Sequence, residues 1–137
     1  MTVAKQFDLG SSDPISPWLE MGAYEALWLD SGASFKSIAE KFGSTPFAIP
    51  SDFVPYSTAV KYAELADEQI RKFSSAPYGV RIHGAGEYPN KIRVAKHPIE
   101  LLYYQGYWAL SEQRSVAVVG TREPSDDGAR QARLIVQ

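Results

Sequence analysis

The spacing of apolar side chains changes character along the chain, and each change marks an expected element. Ser16 followed by Pro17 opens the first helix, since the hydroxyl can cap free amides and proline suits a first helical position. Trp18, Leu19, Met21, Ala26, Leu27 and Trp28 give this helix its apolar character, with Gly22 as a weak point, and Asp30-Ser31-Gly32 stops it. Ser34 caps a second helix in which Phe35, Ile38, Ala39 and Phe42 fall at i, i+3, i+4 and i+7, and Gly43 ends it. The longest helix runs from Ser57 to about Phe73, with Ala59, Tyr62, Ala63, Ala66, Ile70 and Phe73 on one face. Its other face is solvated: Asp67 with Arg71 and Glu68 with Lys72 are favourable i, i+4 pairs worth a few tenths of a kcal/mol each.

From Ser74 the period shortens. Ser-Ser-Ala-Pro-Tyr-Gly is turn chemistry, and Val80 and Ile82 then alternate with Arg81 and His83 as in a half-buried strand. A turn-rich link leads to His97-Pro98, which introduces a second strand from Ile99 to Gln105, ended by Gly106. Val116 to Val119 is apolar at every position, the mark of a buried parallel strand; it stops at Gly120, and a polar turn leads to Ala129, Ala132, Ile135 and Val136 at helical spacing. A strand, loop and helix start in this order place Arg122 where unpaired amides and the helix dipole attract anions. The pattern predicts an α/β chain with a loose leader over 1–12, a helical domain over 13–74 and a sheet-forming region over 75–137.

Composition narrows the function more than the fold. A length of 137 residues with 45% hydrophobic content supports a packed core. Lys and Arg number 14 against 16 Asp and Glu, so there is no overall electrostatic footprint of a nucleic-acid binder and any anion site must be local. The absence of cysteine removes disulfides, thiolate chemistry and cysteine-based metal sites, and agrees with a reducing compartment. Neither a basic segment with an apolar core at the N-terminus nor an apolar run of membrane-spanning length is present, and a cytoplasmic location without a membrane partner is expected.

Several short patterns suggest chemistry and have simpler readings. Ile38 to Gly43 could open a helix-turn-helix, but Pro46, Pro50 and Pro55 restrict the following segment to a turn or two of helix, and it lacks a cluster that reads base edges. His83 and His97 have no carboxylate or cysteine at ligand spacing, so no metal site is expected. Gly84-x-Gly86 lacks the third glycine and the helix of a dinucleotide fingerprint. Tyr103, Tyr104, Tyr107 and Trp108 could form a base-stacking platform, although packing alone favours aromatics in strands, and core or interface is the preferred reading.

From about Tyr78 onward the order Val80-Arg81-Ile82, Tyr88-Pro89, Pro98, Leu101-Leu102-Tyr103, Gly106, Val116 to Arg122, Pro124-Ser125 and Gly128 resembles the DprA/Smf family of DNA-processing proteins. The helical segment from Ser16 to Phe73 is similar to the SAM-like helical domain that precedes the extended Rossmann fold in that family. The resemblance implies the start of a Rossmann-like parallel sheet, incomplete in this chain. It also implies binding and protection of single-stranded DNA and loading of a RecA-type recombinase, as in natural transformation, with no covalent chemistry and no cofactor. A second copy of the chain is a candidate partner. Carried over residue by residue, Gly120, Thr121 and Arg122 match a phosphate-contacting turn, Ser125 the small hydroxyl position after proline, and Gly128 the glycine at the following helix start. Backbone amides would receive a phosphate oxygen while the guanidinium adds bidentate bonds.

Two other readings stay open. Glu123, Asp126 and Asp127 crowd the turn with negative charge, which favours a nucleotide-binding or sensing module of the DprA/LOG-like Rossmann group, the turn then holding the phosphate of a mononucleotide. The third reading is a structural interaction domain, with Tyr103 to Trp108 at an interface and Arg122 paired to a carboxylate. A strand apolar on both faces, as Val116 to Val119 is, would lie at an uncovered edge in a chain ending at Gln137, so Gln137 is expected to be a truncation point. The source protein should then be heavier than 15.2 kDa by mass spectrometry; an intact native chain of that mass, monomeric and unfolding cooperatively, excludes the expectation.

Overall fold

Helix α1 (Pro17–Leu27) starts as its sequence dictates: Ser16 is extended, its Oγ accepts from the Leu19 amide at 3.4 Å, and Pro17 takes the first helical position. Helix α2 (Phe35–Gly43) opens on a reciprocal cap, in which Ser34 Oγ accepts from the Ser37 amide at 3.1 Å and Ser37 Oγ from the Ser34 amide at 2.9 Å. The three prolines that follow allow only a 3-10 turn at Pro50–Asp52 before α3 (Tyr56–Phe73), which begins one residue before the expected Ser57. Strand β1 (Tyr78–Ile82), the single helical turn α4 (Asn90–Arg93), strand β2 (Leu101–Gln105), a second 3-10 turn (Trp108–Glu112) and helix α5 (Asp126–Ile135) complete the order. The computed structural model describes residues 14–86, 88–116 and 119–135; the expected leader over 1–12, and Val136 of the last helical pattern, lie outside them.

Helices α1 and α3 meet at Gly22. A Cβ on Gly22 would lie 1.9 Å from the Ala59 carbonyl oxygen and 2.5 Å from the Ala63 nitrogen. The glycine that weakens α1 as an isolated helix is therefore what lets the two backbones touch. Ala59 and Ala63, fully buried, form the other half of the contact, and Ala66 and Ile70 continue the expected apolar stripe, whereas Phe73 at the end of the helix is exposed. Glu20, also buried, fixes the proline-rich link to α1: its Oε2 accepts from the Ser51 amide at 2.8 Å. A buried carboxylate is tolerable there because it receives a free donor at the start of the 3-10 turn.

Strands β1 and β2 pair antiparallel with Tyr78 opposite Gln105, Val80 opposite Tyr103 and Ile82 opposite Leu101. Alternation turns these six side chains toward the helices and leaves Gly79, Arg81, Leu102 and Tyr104 on the outer face. Val80, Ile82 and Leu101 join Met21, Tyr24, Leu27, Ile38 and Phe42 in one apolar cluster, so burial spans both sides of Ser74.

The architecture is mixed α/β as expected; of the sheet, the described residues hold β1 and β2, which pair antiparallel where parallel strands are expected. A parallel pair needs a crossover that carries the chain back along the sheet, usually on a helix, and between β1 and β2 the chain holds only the four residues of α4. Of the expected third strand, Ala117 and Val118 lie outside the described residues, while Val116 and Val119 are exposed and belong to no strand.

Polar contacts fold the connector between the strands. The Tyr88 hydroxyl donates to the Ile99 carbonyl, and the Arg93 guanidinium donates to the carbonyls of His83 and Tyr88. His83 Nε2 lies 3.3 Å from the Arg93 carbonyl oxygen and His83 Nδ1 lies 3.4 Å from Glu100 Oε2. His83 thus has a structural place in this network. Glu100 is buried, and burial pushes its carboxyl up from the ordinary 4.5 to about 7.

Two expectations follow from this packing. Alanine in place of a helical glycine normally gains up to about 1 kcal/mol. At Gly22 the backbone collision outweighs that gain, and Gly22→Ala should lower stability by about 2 kcal/mol or more, read from urea unfolding; an unchanged or raised midpoint contradicts the contact. For Glu100, the folded chain retains a proton between pH 4.5 and about 7 that the unfolded chain has released. Its contribution is therefore present at the acid end of this window and lost as the pH rises through about 7. Glu100→Gln should flatten the decline in unfolding midpoint across the window, and an identical pH profile in the variant removes Glu100 as its source.

Candidate nucleic-acid interface

Four consecutive residues build the start of α5. Ser125 Oγ accepts from the Gly128 amide at 3.2 Å, and the Ser125 carbonyl accepts from the Ala129 amide at 2.9 Å. A Cβ on Gly128 would stand 3.3 Å from Ser125 Oγ, so glycine leaves the cap room to close. Just upstream, Thr121 Oγ1 accepts from the Glu123 amide at 3.2 Å and bends residues 121–123 into a turn. The structure thus joins Ser125 to Gly128 and uses Thr121 to shape the turn. Gly120 and Arg122 stand beside them in an exposed segment, and Arg122 makes no hydrogen bond or ion pair among the described residues.

The electrostatics of this turn are divided. Arg122 and the N-terminus of α5 attract an anion, while Asp126 and Asp127 occupy the first helical turn, where the dipole favours them. Asp127 is partly neutralised by an ion pair with Arg130. The turn is open to solvent and no described residue of α5 is buried.

The aromatic residues of the expected platform or interface separate onto two faces. Tyr103 turns inward, 6.5 Å from the Tyr78 ring, and its hydroxyl donates to Glu25. Tyr104 lies outward across Gly79, where a Cβ would come within 2.4 Å of its ring, so glycine is required beneath it. The Arg81 guanidinium sits 5.0 Å from the Tyr104 ring centre and 4.8 Å from that of Trp108, and the two rings are 4.6 Å apart. This stack of one cation and two aromatic faces is the arrangement that meets nucleobases and phosphates on other surfaces. Its signal in the sequence was the alternation of β1, which puts Arg81 opposite in face to Val80 and Ile82. Tyr107 remains exposed.

A cleft of about 800 Å³ opens elsewhere, between the end of α1, α3 and the inner face of the hairpin. On α3 it is lined by Tyr62, Ala66 and Ile70 of the expected stripe and by Leu65 and Gln69, which extend that face at i+3 and i+7 from Tyr62. Among the described residues, no helix is long and apolar enough to cross a membrane.

Residues 79–137 match the family model described as DNA recombination-mediator protein A. The match covers the β1–β2 hairpin from Gly79 and the turn at 120–128, and leaves α1 to α3 outside it. No curated protein and no solved structure matches the chain.

Proposed function

We propose, from the match of residues 79–137 to the family model described as DNA recombination-mediator protein A, that the chain binds and protects single-stranded DNA and helps load a RecA-type recombinase, in the setting of natural transformation. The observation that carries this reading is the family match across the turn at 120–128, which contains every residue assigned to phosphate contact. The physical support is local. The first turn of α5 presents backbone amides beyond the one that Ser125 caps, and Arg122 adds a guanidinium without an internal partner among the described residues. Binding, in this proposal, is the whole activity: no covalent step is assigned, and the site is cytoplasmic.

Glu123, Asp126 and Asp127 support a second reading, in which the turn holds the phosphate of a mononucleotide in place of a DNA backbone. A single phosphate needs one cation, whereas a strand brings several phosphates near three carboxylates.

Salt-dependent binding of a single-stranded oligonucleotide separates the readings. Arg122→Ala should weaken binding and reduce the slope of log K against log salt by about one if Arg122 neutralises one phosphate. An unchanged slope removes Arg122 from the interface. Tighter binding of a mononucleotide than of the oligonucleotide transfers the turn to the second reading.

A further inference from the structure

The cleft beside α3 arises because the hairpin and the helices diverge. Val80, Ile82 and Leu101 are buried against the helices, but at the opposite end of the same inner face Tyr78, Tyr103 and Gln105 border about 800 Å³ of open space. Tyr62, Leu65 and Gln69 of α3 form the facing wall, and Glu25 closes the end toward α1. The size lies within the range typical of small-molecule sites, and the lining combines apolar walls with a few placed polar groups, as such sites do.

The chemistry of the lining selects among ligands. No Lys or Arg lines the cleft among the described residues, and Glu25 is an acid, so a phosphate or carboxylate would find repulsion and no counter-charge. A purely aliphatic ligand would leave the Gln69 amide and the Glu25 carboxylate facing hydrocarbon, which is costly. The hydroxyls of Tyr78 and Tyr103 are already committed: Tyr103 donates to Glu25, and Tyr78 donates to Asp67 Oδ1 at 2.8 Å. What the walls still offer is tyrosine faces for stacking and the primary amide of Gln69, a donor beside an acceptor; the Gln105 amide nitrogen already donates to Ser74 Oγ at 3.0 Å and to the Ala76 carbonyl at 3.2 Å. A glutamine amide pairs with the adjacent ring nitrogen and amino or oxo group of a heterocycle edge, and a carboxylate accepts from an exocyclic amine.

We infer that the cleft between α3 and the β1–β2 hairpin binds an uncharged planar nitrogen heterocycle of the nucleobase class, carried either by a free nucleoside or by an unstacked base of a strand. The site shares no residue with the turn at 120–128 and needs no phosphate, so it stands whether or not that turn binds DNA.

Calorimetric titration of the full chain with the four deoxynucleosides tests this. At least one should bind saturably, and its 5′-monophosphate should bind no more tightly. Leu65 is 43% exposed at the rim, so Leu65→Trp can fill the cleft without disturbing the core, and it should abolish binding. Gln69→Leu keeps the shape and removes one amide, and should weaken binding about tenfold; it decides alone if Leu65→Trp does not fold. If Leu65→Trp also weakens binding of a single-stranded oligonucleotide, the base arrives on a strand, and if oligonucleotide affinity is unchanged it arrives as a nucleoside. Absence of saturable binding by all four, full binding in a folded Leu65→Trp or Gln69→Leu variant, or tighter binding of the monophosphates overturns the inference.

Discussion

The approach of α1 to α3 at Gly22 sets the position of nearly everything else in the fold. With the Ala59 carbonyl and the Ala63 nitrogen where a Cβ would be, the axes can come no closer, and any larger side chain would force them apart. That separation decides where Met21, Tyr24 and Leu27 project, and hence where α2 and the hairpin find apolar surface to cover. It also brings the start of α1 near the proline-rich link, so that Glu20 can reach the Ser51 amide. A helix pair joined by small residues gains dispersion contacts along both backbones, whereas a pair joined by large side chains concentrates them at a few points. The cost of backbone entropy at Gly22 is offset by that contact.

The same geometry explains why the hairpin seals one end of the helix pair and leaves the other open. At the Ile82 and Leu101 end the side chains are aliphatic and the core closes. At the Tyr78 and Gln105 end two tyrosines face carboxylates instead. Burial, and then the bond to Asp67, pushes the Tyr78 phenol up to about 12, and burial with the bond to Glu25 raises that of Tyr103 as well. Both hydroxyls therefore remain donors across the physiological range and act as fixed struts between sheet and helices. Asp67 serves two partners at once, since Arg71, bonded at 2.7 Å, and Tyr78 both hold its carboxyl below the usual range. A pair that looked like ordinary surface charge on α3 is thereby continuous with the hairpin.

What was legible in the sequence is what neighbouring residues decide among themselves. The Ser16-Pro17 and Ser34 helix starts, the stop at Gly106 and the confinement of the proline-rich link to a short turn depend on a few consecutive side chains, and all are seen. Ser125 closes the start of α5 over Gly128 by equally local contacts, although the sequence suggests it only as the small hydroxyl after proline. Contacts between distant segments were not legible. Gly22 reads as a defect until Ala59 is known to lie against it, and Gly79 reads as a turn residue until Tyr104 covers it. The strand direction was missed for a related reason: apolar alternation specifies that a segment is a strand and which face is buried, but antiparallel pairing is decided by how the connector returns, here through Tyr88, Arg93 and Glu100. The sequence leaves Tyr103, Tyr104, Tyr107 and Trp108 between a platform and a core or interface because composition carries no face, and the register puts Tyr103 and Tyr104 on opposite ones.

At the turn itself the local groups are unequal. The dipole of α5 is worth about 0.3–1 kcal/mol to an anion at an exposed terminus, and Asp126 and Asp127 already draw on it. A charge-assisted bond from a guanidinium contributes about 1.5–3 kcal/mol. In the proposed site a phosphate therefore gains more from Arg122 than from the helix, whose dipole Asp126 and Asp127 already satisfy. The cap formed by Ser125 and Gly128 then has a positional role: it fixes where the helix begins and so where the preceding turn holds Arg122. Stability of α5 and affinity at the turn are set by different residues within one short segment, and the acidic ones favour the first at the expense of the second.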